Sequence, residues 1–209
     1  MSKTSRVLIT GTPSVGKTTI AKEVAKTLNY YYVDVAKVII ERQMYVEVDS
    51  ERGSFIVDVG KARRFFSSLL KKLNNAVLDT HIVELFPKRL IDKVIVLRVH
   101  PLLILKRGVE RGWSLKKSLE NAQAELLGVC FFDSLSFYGK KKVWQVNCTC
   151  RPIEQVVSEV LSILEGKRRG EDIDWLKELE REGKLDLLLE LEKARDLSEN
   201  LFEFLRYCR

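Results

Sequence analysis

Short apolar runs recur along the chain, separated by stretches in which apolar residues return every three or four positions. The runs lie at residues 7–10, 30–35, 76–80, 93–99 and 142–147. Between them, Ile20, Val24 and Leu28 fall on one helix face, with Ala21 and Ala25 beside them. Leu115, Leu119, Ala122 and Leu126 predict another helix, with Ser114 as its N-cap and Gly128 just past its end. A third helix follows Pro152 and carries Val156, Val157, Val160, Leu161 and Leu164 on its apolar face. Proline is tolerated at such a start because the missing N–H would have no partner there. Val94-Ile95-Val96-Leu97 does not alternate, which fits a strand buried on both faces of a parallel sheet. Strands alternating with helices imply βαβ units with right-handed crossovers. The expected fold is α/β, a five-stranded parallel sheet with helices on both faces, and ligands belong at the carboxyl ends of its strands.

The pattern changes at Gly166-Lys167-Arg168-Arg169-Gly170-Glu171, a linker signal that divides a body, 1–165, from a helical extension, 166–209. Asp172 or Asp174 would cap a short helix bearing Trp175, Leu176 and Leu179 and ended by Gly183. Leu187, Leu191, Ala194, Ser198, Leu201, Leu205 and Cys208 then alternate four and three apart, like a coiled-coil seam. That stripe would either pack back on the body or meet a partner or second copy. The periodicity does not choose, so the oligomeric state stays open.

Composition narrows the class. The chain has 209 residues, 45% hydrophobic and 31% charged, a soluble globular balance large enough for a full core. No apolar run approaches the roughly 18 residues of a membrane span. The start runs directly into the first apolar strand and leaves no room for a signal peptide, so a cytoplasmic protein is expected. Cysteines stand at 130, 148, 150 and 208 without a C-x-x-C pair, which suits reduced, structural thiols. The net charge of +7 suits an anionic substrate or nucleic acid and excludes neither.

The chemistry concentrates in three places. Gly11-Thr12-Pro13-Ser14-Val15-Gly16-Lys17-Thr18 follows the first strand and opens the first helix, as the phosphate-binding loop G-x-x-x-x-G-K-[ST] requires. Glycines let backbone N–H groups converge on phosphate oxygens, and the helix N-terminus adds positive dipole. Lys17 would reach the β/γ-phosphates and Thr18 would offer its hydroxyl to Mg²⁺. The third strand ends in Asp79-Thr80-His81, placing Asp79 at the carboxyl edge beside the loop, where it can organise Mg²⁺. His81, two residues on, could orient a water or an acceptor group. Arg107-Gly108-Val109-Glu110-Arg111-Gly112-Trp113 joins two helices with glycine hinges and two arginines, suited to a closing lid that stabilises a moving phosphoryl group.

These motifs, with Asp49-Ser50-Glu51-Arg52, Ile56-Val57-Asp58, Phe86-Pro87 and Val96-Leu97-Arg98, together resemble the archaeal proteins named "putative adenylate kinase". Those proteins are relatives of the eukaryotic nuclear adenylate kinase that doubles as a ribosome-assembly ATPase. The resemblance covers residues 5 to 165 or so. It implies a P-loop nucleoside-monophosphate-kinase fold with an acceptor-binding segment at about 34–58 and a short lid at about 110–120. Family nucleotide contacts map onto Gly11, Ser14, Gly16, Lys17, Thr18, Thr19 and Arg111, the metal onto Thr18 and Asp79, and the aspartate–x–histidine element onto Asp79 and His81. The implied activity is phosphoryl transfer from ATP–Mg²⁺ to AMP or another nucleoside monophosphate, with ATPase activity alongside. It also implies a link to small-subunit ribosome maturation through a ribosomal protein of the S-eleven type and ribosomal RNA. Two departures stand out: Ser14 replaces a loop glycine, and Ile40 stands near the usual acceptor-side arginine, leaving Lys37 or Arg42 to substitute. An alternative of another class is an ATP-driven assembly switch with little kinase turnover, which the basic runs 140–142 and 167–169 favour modestly. A sugar or shikimate kinase is the third reading.

Overall fold

The protein is described by a computed structural model over residues 5–49 and 53–185. Five parallel strands form one sheet: β1 (Ser5–Thr10), β2 (Tyr31–Asp34), β5 (Asn75–Asp79), β6 (Lys93–Arg98) and β7 (Val143–Asn147), in the order β2-β5-β1-β6-β7. This is the expected doubly wound α/β architecture, with strand bounds within one or two residues of the apolar runs. A two-stranded antiparallel hairpin, β3 (Tyr45–Asp49) with β4 (Ser54–Val57), stands apart from the sheet. The sequence pattern did not reveal it, because its apolar positions face outward: Val46 is 68% and Val48 52% exposed.

The pleat sorts the core into two layers. Val7, Ile9, Val77, Ile95 and Leu97 point to one side. There they meet α1 (Lys17–Leu28), α4 (Pro101–Glu110), α5 (Leu115–Leu126) and α7 (Ile153–Leu164). Leu8, Ala76, Leu78, Val94 and Val96 point to the other. They meet α2 (Val35–Glu41), α3 (Val59–Lys72) and α6 (Val129–Tyr138). Successive residues of one apolar strand thus serve opposite layers, which is why β6 has no polar alternation.

Helix ends follow local chemistry. Ser114 accepts from the Lys117 N–H at 3.2 Å, and Gly128 takes a left-handed φ of 66° just beyond α5. Gly108 lets α4 and α5 pack closely: a Cβ there would lie 2.6 Å from Ser118 Oγ. Asp174, not Asp172, caps α8 (Trp175–Arg181), accepting from the Lys177 N–H. The extension as far as Leu185 packs on the body, with Leu179 fully buried in the first layer. The proposed seam from Leu187 to Cys208 lies outside the described residues. Cys130 and Cys148 are free thiols, but Cys150 is disulfide-bonded, which corrects the expectation of four reduced cysteines. Spacing could not show it, because a disulfide depends on which thiols the fold brings together. Among the described residues no helix is long and apolar enough to cross a membrane.

Candidate active site

The phosphate loop crosses the carboxyl end of β1 tightly against β6. A Cβ on Gly11, whose φ is 142°, would sit 2.4 Å from the Leu97 carbonyl oxygen, so only glycine fits. Ser14 takes a left-handed φ of 74° and is buried, with no hydrogen-bond partner for its hydroxyl among the described residues. The serine thus holds a backbone conformation that usually falls to glycine. Lys17 Nζ donates to the Gly11 and Thr12 carbonyls at 2.9 and 3.1 Å. Burial lowers the Lys17 pKa, and the Asp79 carboxylate partly offsets this.

Asp79 is 6% exposed at the end of β5, in register with Asp34 of β2. Its Oδ2 accepts from Thr18 Oγ1 at 2.7 Å and from the Tyr32 hydroxyl at 3.2 Å. Burial, then the charges of Asp79 and Asp34, push the Tyr32 phenol up, so it remains a donor. His81 is exposed just beyond the end of β5, yet desolvation, with the Lys17 charge second, lowers its pKa to about 4. Its imidazole is neutral at pH 7.

The opposite wall is the end of α4. Arg107 Nη1 donates to the Ser14 carbonyl at 3.0 Å and approaches that of Val15 at 3.4 Å. Arg111 is exposed at the C-cap of α4, its guanidinium 5.8 Å from the Trp113 ring. The segment read as a lid, about 110–120, is the end of α4, a short connector and the first turns of α5. A cleft of about 240 Å³ lies between these arginines and the loop, lined also by Gly16, Thr19, Cys148, Arg151 and Ile153. A cavity of about 600 Å³ beside β7 touches no loop residue and lies away from this chemistry.

Of the sequence-predicted site residues, Ser14, Gly16, Thr19 and Arg111 line this cleft, Gly11 and Lys17 belong to the loop beside it, Thr18 bonds Asp79, and the Lys17 charge acts on both Asp79 and His81. The donor set is hard oxygen from Thr18 and Asp79, with no cluster of three or more His, Cys, Asp or Glu ligands among the described residues. That set fits Mg²⁺, which keeps several waters and takes its remaining ligands from substrate phosphates. Sequence reasoning missed Tyr32, since a tyrosine in an apolar strand signals only packing. It read Arg107 as a lid arginine, whereas Arg107 holds loop carbonyls. It also gave no role to Glu125, whose carboxylate accepts from Thr12 of the loop at 2.5 Å across 113 positions.

A family model described as an AAA domain matches residues 7–128. A protein named "Putative adenylate kinase" from Methanocaldococcus jannaschii is 35% identical over 171 residues, 81% of this chain and 92% of that protein. One of the same name from Pyrococcus furiosus is 38% identical, covering 82% of this chain and 91% of that protein. Another, from Sulfurisphaera tokodaii, is 33% identical and covers 90% and 93%. Among solved structures, a shikimate kinase from Acinetobacter baumannii superposes with a TM-score of 0.54 at 13% identity, covering 78% of this chain and 94% of that one. At that identity the likeness shows the fold alone.

Proposed function

The chain belongs to the archaeal family named "Putative adenylate kinase", and from that premise we propose that it transfers the γ-phosphoryl group of ATP to AMP or another nucleoside monophosphate. ATP hydrolysis accompanies transfer when water takes the acceptor's place. The observation that carries the proposal is the meeting of Lys17, Thr18 and Asp79 at one strand edge, with Arg107 and Arg111 across the cleft.

In this reading Gly11, Ser14, Gly16, Lys17, Thr18 and Thr19 bind the donor phosphates, with Arg111 reaching them from the lid. Thr18 and Asp79 hold Mg²⁺, which supplies charge neutralisation on the phosphate oxygens. The acceptor phosphate oxygen forms a bond to the γ-phosphorus, and the bond to the β–γ bridging oxygen breaks, releasing ADP. Lys17 and Arg111 stabilise the charge that spreads over the transferring group. Neutral His81 accepts a hydrogen bond from water or acceptor. The acceptor segment spans about 34–58, the lid about 110–120, and the protein works in the cytoplasm. The proposed Mg²⁺–ATP enzyme also serves small-subunit maturation, binding a ribosomal protein and ribosomal RNA. A groove of about 540 Å³ on α3, lined by Arg63, Arg64 and Lys71, supports an anionic partner.

The test is ATP consumption with and without each monophosphate, with products resolved. Stoichiometric ADP that depends on AMP supports the kinase. Hydrolysis to phosphate that no monophosphate stimulates, but ribosomal protein does, replaces it with the assembly switch.

A further inference from the structure

Glu125 ends α5 with 1% of its surface exposed, and its two oxygens face different parts of the molecule. Oε1 accepts from Arg98 Nε at 2.6 Å, from the Val99 N–H at 3.2 Å and from the Trp175 indole N–H at 3.0 Å. Oε2 accepts from Thr12 Oγ1 at 2.5 Å. Arg98 also binds the Glu125 carbonyl at 2.9 Å and the Gln145 amide oxygen, so the carboxylate is clamped from the sheet. Thr12 is 1% exposed, and its carbonyl holds Lys17 Nζ. A continuous path therefore runs from the extension, through one buried carboxylate, to the loop residue that seats the phosphate-binding lysine. Trp175 also sets its ring edge-on to His100 at 5.5 Å, and His100 caps the helix that carries Arg107 and Arg111.

A buried carboxylate with this many donors has one low-energy orientation, since each lost donor leaves a lone pair desolvated. Removing the indole N–H leaves Oε1 held by Arg98 and the Val99 N–H from the sheet side alone, which loosens the orientation that presents Oε2 to Thr12. We propose that Glu125 is a positioning residue for the phosphate loop, and that Trp175 of the extension fixes its orientation for nucleotide binding. The inference rests on the nucleotide-binding reading above. It makes the extension part of the donor site's support, although none of its described residues lines the loop cleft.

The experiment measures binding of a fluorescent ATP analogue, with Mg²⁺, to the full chain as wild type, Trp175→Phe, Thr12→Val and the double variant. Trp175→Phe removes only the indole N–H and the outer ring. It is expected to raise Kd about threefold or more, since part of the worth of a hydrogen bond to a charged group is passed on to the loop. Thr12→Val should do the same, and Thr12→Ser, which keeps the hydroxyl, should restore binding. The double variant should bind no worse than the weaker single one, because both break the same relay. A Trp175→Phe Kd within threefold of wild type overturns the inference. So does a double variant whose loss is the product of the two single losses, the signature of a purely structural tryptophan. Should Trp175→Phe fail to fold, Glu125→Gln takes its place in the same cycle and is judged by the same outcomes. Absence of binding by the wild type overturns the nucleotide reading itself, and this inference with it.

Discussion

Ser14 shows how a single residue can carry strain inside a binding loop. A left-handed backbone costs a non-glycine residue about 1 kcal/mol, and its buried hydroxyl adds a desolvation penalty. Glycine gives back part of that gain through its freer unfolded chain. Ser14→Gly should therefore stabilise the protein by about 0.5 to 1 kcal/mol, read as a rise of a few degrees in Tm. A fall in Tm would mean that the hydroxyl has a stabilising partner. Lys17→Ala should abolish turnover with little change in Tm, because among the described residues Lys17 bonds only to loop carbonyls. Near-normal ATP turnover in that variant would remove the donor-site assignment. Arg111 is exposed and, among the described residues, bound to no loop atom, so Arg111→Ala should lower kcat by about 10² or more, a larger effect than on ATP affinity. A pure affinity loss would make it a ground-state binder.

At the scale of elements, α4 depends on a histidine. His100 Nδ1 accepts from the Leu102 N–H at 3.3 Å, so the ring caps the helix in its neutral form. Its Nε2 lies 3.7 Å from Glu182, with the ring 1% exposed. Burial lowers its pKa to about 4, against the opposing pull of Glu182, while Lys184 adds to the lowering. Between about pH 6.5 and 4 the unfolded chain binds the extra proton and the folded chain does not. Stability is therefore full above pH 6.5 and falls as pH drops through that window. The expected loss from this group is about 2 kcal/mol between pH 7 and 5, measured by urea unfolding. His100→Asn keeps a capping oxygen but cannot titrate, and should flatten the slope. An unchanged slope would assign the acid sensitivity elsewhere.

For the molecule as a whole, the described part of the extension, residues 166–185, packs on the body. Gly170 runs so close to β7 that a Cβ would lie 2.9 Å from the Gln145 backbone, and the Glu171 N–H donates to the Gln145 carbonyl. Trp175 and Leu179 are 6% and 0% exposed. Truncation after Glu165 should therefore lower Tm and ATP turnover together, since it opens a core layer and leaves Glu125 short of a donor. Trp175→Ala alone should cost about 3 to 5 kcal/mol by the cavity it leaves. A truncated chain with unchanged Tm and turnover would show that the extension contributes nothing to the body.

What the sequence determined by itself is what local rules encode. The five strands, the helix after the phosphate loop, the Ser114 cap and the left-handed Gly128 each follow from periodicity or from one residue's backbone chemistry, whereas the choice of Asp174 over Asp172 needed the structure. The loop and Asp79 were legible for the same reason: a phosphate nest needs its glycines, lysine and threonine in consecutive positions, and a strand end fixes where a following carboxylate goes. The outward-facing hairpin β3–β4 was hidden because strand periodicity marks buried faces, and this one is exposed. Tyr32 on Asp79, Arg107 on the loop carbonyls and Glu125 between Thr12, Arg98 and Trp175 were decided only by the tertiary structure. Each of these contacts joins residues far apart in sequence, and a side chain's partner across 47, 93 or 113 positions is set by sheet order and helix packing, which no local spacing carries.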